Sequence, residues 1–113
     1  MSMSIESKYI NLKSPLEGSD ITMCVSLDPI GDYRMKDYDF KCEFYTSSIR
    51  KCVTKEKKDM SKVSDDVYSA SFNTKGMGAG AIIVRVTAWI PDASFSTGTR
   101  CEIAELLSKE IVY

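Results

Sequence analysis

Residues 81–90 read AIIVRVTAWI. In an extended chain Ile82, Val84, Val86, Ala88 and Ile90 fall on one side, and Arg85, Thr87 and Trp89 on the other. A repeat of two belongs to a strand, because successive side chains point to opposite faces. β-Branched residues dominate the run, which suits a pleated surface. The unbroken apolar side predicts the central strand of a core.

The same alternation extends outward in both directions. In residues 20–28, DITMCVSLD, Ile21, Met23, Val25 and Leu27 oppose Thr22, Cys24 and Ser26. In residues 39–47, DFKCEFYTS, Phe40, Cys42 and Phe44 alternate with Lys41, Glu43 and Tyr45. Residues 49–54 form a shorter run with Ile49 and Val53 on one face. Residues 67–73, VYSASFN, group Tyr68, Ala70 and Phe72. Pro15, Gly18, Pro29, Gly31 and Pro91 lie between the runs, where a missing donor or an unusual φ is tolerated. Short strands at intervals of roughly ten residues predict an all-β sandwich or barrel closed by antiparallel pairing.

The C-terminal stretch reads two ways. Ile103, Leu106, Leu107 and Ile111 stand at helical spacing among good helix formers. A final strand is nevertheless needed beside the 81–90 run. The favoured reading is a strand from Thr99 to Leu106, a turn, and a short strand at 111–113. A short C-terminal helix over 101–111 is the alternative.

The chain has 113 residues, enough for one domain over 1–113 with residues 1–8 as an N-terminal arm. A chain of this length buries about 65% of its unfolded surface, enough for a core without a metal or a disulfide. Fifteen basic residues nearly cancel sixteen acidic ones, and a net charge of −1 argues against a dedicated nucleic-acid binder. There is no histidine, which removes imidazole from every catalytic or metal-binding scheme. Cys24, Cys42, Cys52 and Cys101 form no CxxC pair. The N-terminus carries no apolar signal-peptide core, and no run reaches the ~18 apolar residues of a membrane span. The expectation is four free thiols in a reducing compartment.

The glycine-rich run at 76–80, GMGAG, lacks the GK[ST] ending of a phosphate loop and reads as a flexible hairpin loop. Residues 50–62 hold Arg50, Lys51, Lys55, Lys57, Lys58 and Lys62 against Glu56 and Asp59. With no aromatic residue interleaved, this run reads as a solvated hairpin tip rather than a nucleic-acid groove. Asp28, Asp32, Asp37 and Asp39 do not match a calcium-loop spacing and read as turn residues, as do Asp65 and Asp66. Neither a nucleophile motif nor a paired-carboxylate arrangement can be named, so no enzymatic activity and no cofactor are expected. Trp89 stands on the polar side of the central strand beside Arg85 and Thr87, either as a binding anchor or as a residue covered near the strand end.

The order from Trp89 onward is a strand, then Ile90-Pro91-Asp92, Phe95, Gly98-Thr99-Arg100 and a further strand. With Phe40 to Thr46 and Tyr68 to Thr74 before it, the chain resembles the small immunoglobulin-like β-sandwich domains of tailed-phage virion proteins. It is similar to the N-terminal adaptor domains of baseplate, tail-fibre and head-fibre subunits, including the baseplate upper protein type. The resemblance covers roughly residues 10–113. A fibre subunit normally continues into a shaft or head, whereas this sequence stops at Tyr113, so a stand-alone adaptor, a decoration protein or a short connector is the expectation. It implies an immunoglobulin-like antiparallel sandwich of about seven strands. It also implies a non-enzymatic adaptor, decoration or fibre-attachment subunit of a phage or prophage virion, assembled in the bacterial cytoplasm. The expected partners are other virion subunits and further copies of the chain, with no nucleic acid and no membrane. Arg85, Thr87, Trp89, Asp92, Phe95 and Arg100 are the expected interface. A carbohydrate- or surface-binding β-sandwich module is the alternative.

Overall fold

The computed structural model describes residues 3–9 and 20–112. Eight strands appear in chain order: β1 (Met3–Tyr9), β2 (Asp20–Leu27), β3 (Asp39–Thr46), β4 (Val53–Glu56), β5 (Ser61–Ser64), β6 (Val67–Asn73), β7 (Gly80–Pro91) and β8 (Thr99–Val112). A single 3₁₀ turn, Lys57–Asp59, separates β4 from β5. All pairs are antiparallel, in two four-stranded sheets of order β1-β2-β6-β5 and β4-β3-β7-β8. First, second, sixth and fifth strands in one sheet, with third, seventh and eighth in the other, is the immunoglobulin-like sandwich order. Here β4 adds a strand beside β3.

The alternation read from the sequence sets which face is buried. Ile82, Val84, Val86, Ala88 and Ile90 of β7 are at most 1% exposed. Against them pack Ile21, Met23, Val25 and Leu27 of β2, Phe40, Cys42 and Phe44 of β3, and Tyr68, Ala70 and Phe72 of β6. Phe40 meets Tyr38 and Tyr68 edge to face, at ring-centroid distances of 6.2 and 5.1 Å. Phe44 lies against Phe72 at 4.6 Å. Met35, Met60 and Met77, all from connections between strands, are buried with this cluster. Methionine suits such irregular ends because its unbranched chain fills gaps.

The structure departs from the sequence reading at five places. The expected N-terminal arm carries β1, which pairs along its whole length with β2. The run expected at 49–54 starts later, at Val53. Ile49 is 74% exposed in a turn, where its φ of 50° leaves the extended region. The basic run at 50–62 is not a hairpin tip, because β4 and β5 belong to different sheets and the run crosses between them. Lys57 fastens that crossover. Its ammonium donates to Lys36 O and Tyr38 O, both at 2.9 Å, and lies 5.8 Å from the ring centres of Phe40 and Tyr68.

The glycine run at 76–80 likewise crosses between sheets, from β6 to β7. Thr46 Oγ1 donates to Met77 O at 2.7 Å in the interior, and Ser48 Oγ donates to Ala79 O. Gly80 has a φ of 131°, and a Cβ there would collide with Ser47 Oγ. Finally, residues 99–112 form one continuous strand in place of a strand, turn and strand, or of a helix. Where the turn was expected, the register shifts between the Ala81–Ile111 and Ile83–Leu107 pairs, a bulge that takes up two extra residues on β8. Pro15, Gly18 and Tyr113 lie outside the described residues.

Candidate functional site

A sandwich has two outer faces, and here they differ in chemistry. On the β1-β2-β6-β5 sheet the outward residues include Thr22, Cys24, Ser26, Ser69 and Ser71. They are small and polar, and Thr22 and Ser71 share a 2.7 Å hydrogen bond across the strands. The opposite sheet presents large side chains. Residues directly opposite one another in a sheet share a face. The pairs Trp89–Cys101, Thr87–Ile103, Arg85–Glu105 and Ile83–Leu107 therefore form one surface, extended by Asp39, Lys41, Glu43 and Tyr45 of β3.

The six residues expected at the interface are not equivalent on this surface. Arg85 is held within its own sheet: its guanidinium donates to Glu43 Oε1 through Nε at 3.3 Å and through a terminal nitrogen at 3.1 Å. This pair holds the Arg85 guanidinium above its ordinary pKa. One strand further, Tyr45 donates its hydroxyl to Glu105 Oε2 at 2.7 Å, which raises the phenol above its usual value. Thr87 is buried. Trp89 is half-buried and lines a hollow on this face.

Asp92 and Arg100 shape the β7–β8 connection. Asp92 accepts from Ser94 N at 3.0 Å and Ser94 Oγ at 2.6 Å, and Arg100 lies 3.3 Å from its second oxygen. The serine hydrogen bonds, with the Arg100 charge behind them, hold the Asp92 carboxyl below the usual range. The loop closes through Asp92 N to Gly98 O at 2.9 Å, and Phe95 stands half-exposed at its tip.

The largest exposed apolar side chains of this face lie on β8. Ile103 and Leu107 are each 63% exposed, and both point outward. Leu106, on the other side of the same strand, is also exposed. β8 is an edge strand of its sheet: among the described residues β7 is its one hydrogen-bonded neighbour, and β1 of the other sheet lies close to it. Its fourteen residues, at about 3.3 Å each, run the 45 Å length of the molecule. The other edge of this sheet, β4, has only four residues, two of them charged. Short, charged edges resist pairing, whereas a long edge bearing apolar residues invites it. The ambiguous helix-or-strand pattern of 99–111 concealed Ile103 and Leu107. Read at a period of two from Cys101, they fall on the outer face together.

No family model, curated protein or solved structure matches the chain.

The four cysteines are free. Cys42 is fully buried, and burial pushes its thiol up to about 12. Since the thiolate is the reactive form, Cys42 is inert in the folded state. A thiol reagent at pH 8 should label exposed Cys52 and Cys101 quickly, Cys24 more slowly, and Cys42 only after unfolding. Counting labels by mass before and after denaturation checks this. Rapid labelling of Cys42 in native protein would contradict the inward register of β3.

Proposed function

We propose that this chain is a non-enzymatic protein–protein docking module, whose binding surface is the outer face of the β4-β3-β7-β8 sheet together with the β8 edge. The observation that carries the reading is the exposure of Ile103 and Leu107 on the outer face of that edge strand, one on each side of Glu105. Exposed apolar side chains among fixed polar ones on a single face are what a partner surface requires. Phe95 adds a half-exposed ring at the end of the same sheet. The Arg85–Glu43 and Tyr45–Glu105 pairs hold the polar residues between them in fixed positions, which favours orientation over affinity.

The resemblance to virion adaptor domains supplies the setting: an adaptor, decoration or fibre-attachment subunit of a tailed phage or prophage, docking to neighbouring subunits and to copies of itself. Light scattering on purified protein over a range of concentrations, with mass spectrometry of particles from the strain that encodes it, tests both parts. The expected results are a mass rising above 12.6 kDa and the protein's presence in the particles. A strict monomer that is missing from the particles would refute the reading.

A further inference from the structure

Where β3 begins, the outer face dips into an open hollow of about 280 Å³, walled by Asp39, Lys41, Glu56, Lys58 and Trp89. Phe40 contributes to its floor while its ring turns inward to the core. Trp89 and Asp39 are direct cross-strand partners, and Lys41 and Glu56 are partners one step along. Glu56 and Lys58 form an ion pair at 3.2 Å. Asp39 Oδ1 accepts from Phe40 N at 3.0 Å. The Lys41 side chain makes no hydrogen bond or ion pair with the described residues.

Two carboxylates and two ammonium groups around one indole give the hollow no net charge. A cationic ligand would meet Lys41 and Lys58, and an anionic one would meet Asp39 and Glu56. A hydroxyl both donates and accepts, so it can face either kind of wall. The indole offers a flat apolar surface of the kind that covers the C–H face of a ring. We infer that this hollow binds a neutral pyranose, with the ring's C–H face on Trp89 and its hydroxyls shared between Asp39 and Lys41. Its volume lies at the small end of ligand sites, which fits one or two sugar rings rather than a long chain.

Trp89 is the only tryptophan among six tyrosines, so indole fluorescence excited where tyrosine does not absorb reports on this site. The full chain would be titrated with glucose, galactose, mannose and N-acetylglucosamine, with glucuronic acid and glucosamine as charged controls. Saturation-transfer NMR would supply an independent readout. At least one neutral sugar should produce a saturable change, with a dissociation constant of about 0.1–10 mM, typical of a small ligand with few contacts. The double variant Asp39→Asn with Lys41→Met should weaken it about tenfold or more at unchanged Tm. Because both residues lie on the outer face, folding is preserved; Lys41→Met alone serves as a second variant. The inference is overturned if no neutral sugar gives a saturable response, if a charged control binds more tightly, or if the double variant binds as well as the parent. Docking through β8 can stand or fall separately, since Ile103 and Leu107 do not line the hollow.

Discussion

Phe40→Ala is expected to lower stability by about 3–5 kcal/mol, the range for deleting a buried aromatic ring. Phe40 is 1% exposed and meets two other rings edge to face. It also lies beneath the Lys57 ammonium that fastens the crossover from β4 to β5. Removing the ring leaves a cavity that Tyr38 and Tyr68 cannot both fill, and takes away one of the two aromatic faces under Lys57. Val84→Ala removes only two methyl groups, from the neighbouring strand of the same sheet, and should cost less, about 1–3 kcal/mol. Urea denaturation of both variants measures the difference. A Phe40→Ala loss under about 1 kcal/mol would mean that the interior collapses around the vacancy.

The second large effect concerns docking. Ile103→Glu combined with Leu107→Glu should weaken association by about thirtyfold or more, equivalent to roughly 2 kcal/mol. Both side chains are mostly in solvent in the isolated chain, so stability should change by less than about 0.5 kcal/mol. Charged side chains on an edge strand also block strand-to-strand pairing. Arg85→Ala should have a smaller effect on association, because its guanidinium is already engaged by Glu43. Sedimentation of the parent and both variants at matched concentrations separates these cases. If the double glutamate variant assembles as the parent does, the interface lies elsewhere.

The core was legible because burial follows the period of two closely. Every apolar residue predicted inward on β2, β3, β6 and β7 is buried. What the alternation could not reveal was which connections cross between sheets. The run at 50–62 and the glycine run at 76–80 read locally like hairpin loops. Their true course depends on Lys57 reaching the Lys36 and Tyr38 carbonyls, and on Met77 entering the core, contacts made far along the chain. β1 went unread because Met3–Tyr9, MSIESKY, offers one strongly apolar aliphatic residue among polar neighbours. The surface was read in part. Trp89 and Arg85 were found on the outer face, but a chain read without its pairing partners could not show that Arg85 was spoken for. Nor could a sequence with both helical and strand periodicity show that Ile103 and Leu107 share that face.

The pairing pattern also sets a pace. The two central pairs join Ile21 to Phe72 and Asp39 to Trp89, residues distant in the chain, and neither sheet can close before its long loop does. Chains dominated by such non-local pairing fold in milliseconds to seconds, far more slowly than helical bundles of the same size. Only β7–β8, β3–β4 and β5–β6 are neighbours joined by short connections. The β7–β8 hairpin is the longest of these, and it carries the apolar run of residues 81–90. Until β2 and β3 arrive, that run has nothing to cover it. Synthesis order adds a wait of its own: β3 leaves the ribosome well before β7, the strand that pairs with it along its whole length. In that half-paired interval the uncovered run can meet another incompletely folded chain instead of its own second sheet, which is the route to aggregation.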